Sequence, residues 1–388
     1  MKRIIAKSAL TAAIILILFS ACGTIPSDLA MSRWSDQTEL SIEPEVLLDG
    51  LNRPWSMAWL PDGRLLMTER GGRLWLLSAS GSDPTEVGGV PPVFSSGQGG
   101  LLDVSVGPEE GDLRWIYLAY AAGDEEANRT EVSRFLLDES GAAPVLADAE
   151  LVFANNEYKD GNQHFGSRIA WLPDGTMLIA IGDGGNPPLR FGDGLQREQA
   201  QEPTTLFGNV VRINPDGSVP EDNPFLDRQG YRPELYSIGN RNIQGLAYDA
   251  ASGRVWATEH GSRGGDEVNI IAAGANYGWP LVSHSREYVR GTPVSRFQTL
   301  EGYADPQLVW LDTVAPSGLA VDGDTLYAGG LRSQSVHVIS VDESGEFFGE
   351  SVIPIGQRVR DVRIGPDGRL WVLTDDAENG RLLRMDRP

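Results

Sequence analysis

The reactive side chains of this sequence gather in eight short polar stretches, at residues 96–102, 163–168, 181–185, 239–245, 259–269, 313–318, 329–332 and 357–361. His164 stands in the second. Imidazole titrates close to neutrality, which suits a general base, and it serves equally as a hydrogen-bonded structural group. In Arg358-Val359-Arg360 the arginines alternate as in a strand, so both guanidiniums share a face. That favours joint use on one anionic ligand, with ordinary surface salt bridges as the alternative. The run Glu259-His260-Gly261-Ser262-Arg263-Gly264-Gly265-Asp266-Glu267 offers turn carbonyls and carboxylates, the oxygen donors that calcium takes. It also fits a glycine-rich turn with surface carboxylates.

Several chemistries are excluded. One cysteine in 388 residues leaves no disulfide, thiolate zinc site or iron–sulfur cluster, and four histidines argue against a protein zinc site. No Gly-Xaa-Ser-Xaa-Gly elbow and no strand–GxGxxG–helix unit occurs. Lys and Arg number 32 against 54 Asp and Glu, a net charge of −22. Phosphate backbones need cations, so nucleic acid is not the partner.

The elements that must position these stretches lie between them. Leu60-Pro61-Asp62-Gly63-Arg64-Leu65-Leu66-Met67-Thr68 returns as Leu172-Pro173-Asp174-Gly175-Thr176-Met177-Leu178-Ile179-Ala180 and as Gly365-Pro366-Asp367-Gly368-Arg369-Leu370-Trp371-Val372-Leu373. Looser copies run over residues 249–257 and 321–327. Each copy has an apolar strand, an Asp-Gly turn and a second strand rich in β-branched and aromatic residues. The 46 Gly and 24 Pro fit such a chain of short strands and tight turns. A hairpin recurring at intervals of tens of residues marks a propeller or solenoid. About 350 residues at about 55–60 per blade predict an all-β, six-bladed β-propeller, with a two-domain β-sandwich as the alternative.

Residues 1–22 read as an export address. Lys2, Arg3 and Lys7 precede an apolar stretch from Ala9 to Phe19, and Ser20 and Ala21 lead to Cys22. The expectation is a lipoprotein-type signal with Cys22 as the lipidated residue, a tether over 23–40, and one catalytic propeller over 41–388. The protein is then periplasmic or on the outer membrane, and it meets a membrane only through that anchor.

Taken in order, the eight stretches resemble the quinoprotein glucose/sorbosone dehydrogenase family, in particular its soluble bacterial aldose sugar dehydrogenases. The resemblance spans residues 51–374, and it rests on the register of all eight stretches between propeller repeats. It implies a six-bladed propeller that binds pyrroloquinoline quinone (PQQ) and calcium and oxidises aldoses at C1 to lactones. His164 matches the family's general base, and Asp183 matches the carboxylate that orients it. Arg241 matches the group that stabilises charge on the quinone. Arg332, Arg358 and Arg360 match the cationic clamp on the cofactor, and Gln98, Asn242 and Thr313 match its neutral contacts. Gly261 and Ser262 match carbonyl ligands of the catalytic calcium, with Asp266 holding its waters. Glu267 and Tyr277, in Asn276-Tyr277-Gly278-Trp279-Pro280, match a structural calcium site. Trp310 falls either against the cofactor or in the core. An electron acceptor is implied as a partner besides the sugar, and the rim stretches 186–203 and 281–307, with Tyr288, Phe297 and Tyr303, are expected to set sugar preference. The rival readings are a calcium-dependent lactonase or other hydrolase, and a non-catalytic binding propeller.

Overall fold

The Asp-Gly repeats are hairpins. In the first, Gly63 takes φ 88° and its amide donates to the Leu60 carbonyl, while the Asp62 carboxylate accepts the Arg64 amide. Asp174 with Thr176 and Asp367 with Arg369 repeat that side-chain contact. The turns join Pro54–Trp59 to Leu65–Glu69, Ile169–Trp171 to Met177–Ile181, and Val359–Ile364 to Leu370–Thr374. The looser copies join Ile243–Asp249 to Arg254–Glu259 and Pro316–Asp322 to Thr325–Gly330. A sixth hairpin, Leu101–Glu110 with Leu113–Gly123, has no Pro-Asp-Gly signature.

This computed structural model describes residues 29–110, 113–187 and 189–388. Each hairpin is the inner half of a blade. Blade 1 spans 54–87, blade 2 101–154, blade 3 169–237, blade 4 243–310, and blade 5 316–354. Blade 6 combines residues 359–385 with Glu45–Leu51. The six inner strands lie one against the next, and that of blade 6 returns to that of blade 1. The molecule is a six-bladed β-propeller. Between blades the sheets bury their faces on each other; Trp371 of blade 6, for example, meets Trp59 of blade 1 edge-on at 5.5 Å among Leu65, Met67 and Leu77.

The expected tether over 23–40 needs correction from residue 29 onward. Met31–Ser32 pairs in parallel with Leu308–Trp310 of blade 4, and Thr38–Glu39 pairs in parallel with Phe347–Pro354 of blade 5. Glu45–Leu51 then completes blade 6 antiparallel to Gly380–Met385. The reason is edge chemistry. An outer strand presents unpaired amides and carbonyls, and this strap covers three of them in turn. A buried polar cluster pins it: Ser32 donates to Glu350, which also accepts from the Trp310 indole at 2.8 Å and pairs with His337 at 2.6 Å. Burial would raise the Glu350 carboxyl, but these bonds outweigh it and hold it below its ordinary value. Trp310 is therefore a core residue, 0 % exposed. Removal of residues 29–40 is expected to lower Tm by several degrees, and removal through 51 to leave blade 6 open and abolish cooperative melting. Thermal circular dichroism of the two truncations checks both. The signal segment 1–22, with Cys22, lies outside the described residues.

Candidate active site

Every inner strand starts at the same end of the ring, and every second strand runs antiparallel back to it. The polar stretches either enter an inner strand or follow a second strand, so all eight converge on that end. Two sites form there.

The first is a cavity of about 560 Å³ over the channel mouth. Trp55, Leu102 and Phe165, packed in one cluster, give it an apolar aromatic lining, and Gln98 and Gln244 also line it. Arg358 and Arg360 project together, as their alternation predicts, and both reach Oδ2 of Asp375, at 3.3 and 2.7 Å. Arg53 and Arg70 complete a group of four guanidiniums facing Asp375 and Asp376. Burial, then repulsion from Arg360, pulls the Arg70 pKa down to about 10. Neither Arg53 nor Arg70 makes a side-chain hydrogen bond or ion pair among the described residues, and the buried Nε of Arg360 has no partner. These crowded arginines outnumber their carboxylates in a protein of net charge −22. The cavity suits a planar polyanion: an aromatic lining, donors in excess, and one orphaned N–H.

The second site lies beside it. His164 is at φ 48° in a turn with Gly166 and Ser167, also at positive φ. A non-glycine residue held there is strained, as functional positions often are. The Gln98 side chain accepts its amide at 2.8 Å. The turn sets Nδ1 2.6 Å from Asp183 Oδ1, with both residues buried. Around Nε2 stand Arg241 at 3.3 Å and the Asn186 amide at 3.4 Å, and Arg241 donates to Asn186 Oδ1 at 2.7 Å. With an acceptor at Nδ1 and donors at Nε2, the hydrogen-bond pattern puts the proton on Nδ1 and leaves the Nε2 lone pair available. Burial, reinforced by the Arg241 charge, holds the His164 pKa below its ordinary value despite Asp183. The ring is neutral at pH 7. Arg241 is held in turn, its backbone amide bonded to the Glu259 carboxylate and Nη1 to the His260 carbonyl at 3.0 Å.

A void of about 20 Å³ lies farther out, lined by Glu259, Gly261, Gly265, Glu267, Tyr277 and Ser285 among others. Burial pushes both glutamates upward, and the Glu259 charge adds to this at Glu267. A cation would relieve that repulsion. Among the described residues no cluster of three or more His, Cys, Asp or Glu forms a ready metal cage, so carbonyls and water would complete the shell, as calcium permits.

Other expected residues occupy different places. The Asp266 carboxylate is taken up by the amides of Gly261, Val314 and Ala315 at 2.7, 2.8 and 2.8 Å, and so ties two loops together. Ser262 donates its amide to Ser285. The Thr313 hydroxyl accepts the Gly264 amide at 3.0 Å. Asn242 does not line the large cavity; its side-chain oxygen accepts the Gly166 amide and supports the His164 turn. Arg332 is exposed, because the turn after Thr325–Gly330 directs Leu331 into the cavity instead. Sequence reading missed Arg53, Arg70, Trp55, Asp375, Asn186 and Trp279. A signal existed for two of them: Arg53 enters blade 1 as Arg358 enters blade 6, and Arg70 follows its second strand as Asp375 does.

Comparison with known proteins bears on this site. The family model described as glucose / sorbosone dehydrogenase matches residues 51–384. The aldose sugar dehydrogenase YliI of Escherichia coli K12 is 36 % identical over 92 % of this chain and 95 % of its own. The solved apo-form of the soluble aldose sugar dehydrogenase from Escherichia coli superposes with TM-score 0.80 at 37 % identity, covering 90 % of this chain and all of that one. The PQQ-bound form of aldose sugar dehydrogenase from Streptomyces coelicolor gives TM-score 0.73 at 29 % identity, covering 89 % and 98 %.

Proposed function

This chain belongs to the glucose/sorbosone dehydrogenase family, and from that premise we propose that it is a PQQ-dependent oxidoreductase that converts aldoses at C1 to lactones. The observation that carries the reading is the pairing of an aromatic-lined, arginine-rich cavity with a buried His–Asp pair beside it whose imidazole is held neutral. A lactonase would leave Arg53, Arg70, Arg358 and Arg360 without a common ligand.

In this reading His164 Nε2 takes the proton of the C1 hydroxyl. Asp183 keeps the other ring proton on Nδ1 and stabilises the imidazolium that forms, as the acid of a hydrolase triad does. Arg241, next to Nε2, opposes negative charge developing at the reacting end. Arg53, Arg70, Arg358 and Arg360 would bind the carboxylates of PQQ, with Trp55 and Phe165 supplying apolar surface and Gln98 a neutral polar contact. Bound PQQ supplies the two-electron acceptor. One calcium, held through Gly261 and Ser262, would supply Lewis acidity, and a second, held through Glu267 and Tyr277, would anchor the loop that carries Arg241's partners. A downstream electron acceptor then completes turnover.

We also place the protein outside the cytoplasm, anchored through Cys22 with residues 23–28 between that anchor and the docked strap. Among the described residues no helix is long and apolar enough to cross a membrane.

Aldose-dependent dye reduction by the protein lacking residues 1–22, requiring both PQQ and calcium, tests the function; activity without either would remove the quinoprotein assignment. The cavity can be tested separately by equilibrium dialysis of PQQ. Arg70→Met and Arg360→Met are each expected to weaken binding by about tenfold or more, while Arg254→Met on the outer surface leaves it unchanged.

A further inference from the structure

Asp183 has two carboxylate oxygens, and the dyad uses one. Oδ1 faces His164 and also accepts the Gly185 amide at 3.1 Å. Oδ2 receives the indole N–H of Trp279 at 2.8 Å. Trp279 is buried and held from several sides. Its amide donates to the Gly239 carbonyl at 2.8 Å, and its own carbonyl accepts from Gln201 at 2.9 Å. Gln201 also exchanges two hydrogen bonds with Asn276, so the end of the short helical turn Gln196–Gln201 clamps the loop that bears the indole. The Arg241 guanidinium lies 5.3 Å from the centre of the indole ring, and that of Arg197 lies 5.9 Å from it.

We propose that Trp279 is a positioning residue for the reaction: its N–H fixes the rotation of Asp183 and tempers its charge, and its ring face supports Arg241. A carboxylate with one oxygen bound can swing about its Cβ–Cγ bond. With both bound it cannot, and the oxygen facing Nδ1 stays in line. The same bond draws charge toward Oδ2 and lessens the pull of Asp183 on an imidazolium. One indole thus sets the base and the neighbouring cation together. This inference rests on the function proposed above, and its test separates the two.

The direction of the effect follows from the charges around His164. Asp183 favours the imidazolium, while Arg241 and Lys159 oppose it. His260 faces the same group and is neutral, its pKa pressed down to about 3 by burial. Removing the indole donor leaves Asp183 with more charge to offer, so the His164 pKa must rise.

Trp279→Phe removes the donor and keeps an aromatic ring; 3-benzothienylalanine at position 279 keeps the bicyclic shape and removes only the N–H. The chain has four histidines, so NMR titration can follow His164 without any turnover. Both variants are expected to raise its pKa by about half a unit to one unit. In the PQQ-loaded enzyme the acid limb of kcat should move to higher pH by the same amount, with kcat falling about two- to tenfold and KM unchanged. An unchanged His164 pKa in both variants overturns the proposal, as does a loss of kcat with no movement of the limb, which is what a packing role would produce. If the wild type oxidises no aldose, the dehydrogenase reading fails, and the NMR titration still decides the role of Trp279.

Discussion

His164→Ala is expected to lower kcat for aldose oxidation by roughly 10²–10⁴-fold, the usual worth of a positioned general base. Binding of PQQ should change little, because the cavity arginines and the walls at Trp55 and Phe165 are untouched. Asp183→Asn should cost nearly as much. An asparagine turned with its amide nitrogen toward Nδ1 would favour the wrong tautomer, moving the proton to Nε2 where the lone pair is needed. The two substitutions act on one device, so the double variant should be no worse than His164→Ala alone. The pH profile carries a further expectation. The folded structure holds the His164 pKa below its ordinary value through burial and Arg241, so the base stays neutral and active as pH falls through the ordinary histidine range. Activity is lost only as pH falls through that lowered pKa. Steady-state kinetics of the three variants, with a kcat profile of the wild type, decide this. A His164→Ala enzyme within threefold of wild type would remove the dyad from the mechanism.

The second large effect concerns the floor of the site. Arg168 is buried in the channel, 1 % exposed, beneath Trp55, whose ring centre lies 4.1 Å from its guanidinium carbon. It pairs with Asp103 of blade 2 at 3.1 Å and Asp361 of blade 6 at 2.9 Å. It also donates to the Ser56 hydroxyl of blade 1 and the Gln244 carbonyl of blade 4, at 3.3 and 2.7 Å. Itself leading into blade 3, it joins five of the six inner strands. Arg168→Met fills much of the space and leaves Asp103 and Asp361 short of a counter-charge, with Arg363, at 3.5 and 3.1 Å, their one remaining ion-pair partner among the described residues. Breaking a buried pair in this way costs about 3–5 kcal/mol. Urea unfolding should show a lower midpoint at constant slope, and adding Asp103→Asn to Arg168→Met should recover part of the loss. A change below about 1 kcal/mol would mean that Arg363 and water carry the two carboxylates.

Much of the ring was legible because five blades share one turn. Asp-Gly at 62–63, 174–175 and 367–368, with weaker forms at 252–253 (Ser-Gly) and 322–323, locates the hairpins that start them. Blade 2 escaped because the sequence after Glu110 reads Gly111-Asp112, which inverts the Asp-Gly order, and carries no Pro-Asp-Gly signature. The strap escaped for a different reason. Met31–Ser32 and Thr38–Glu39 are two-residue strands with no alternation to detect, and their partners lie some 275 to 315 residues away. The site divides along the same line. His164, Asp183, Arg241, Arg358 and Arg360 sit in compact polar stretches that local reading can find. Arg70 and Arg360 share a cavity only because the ring brings its first and last blades together, and Trp279 meets Asp183 across 96 residues. Asp266 and Thr313 were found as polar residues, but only the folded loops show that their oxygens are committed to backbone amides.

Proton abstraction by His164 beside bound PQQ is tested most directly by an anaerobic single turnover. Purified protein lacking residues 1–22 is loaded with one equivalent of PQQ and calcium, mixed with excess aldose, and followed by absorbance of the bound quinone. The quinone band is expected to bleach in the wild type with formation of one equivalent of lactone, and to persist in His164→Ala although the cofactor remains bound. A band unaffected by aldose in the loaded wild type, or equally fast bleaching in His164→Ala, would contradict this mechanism.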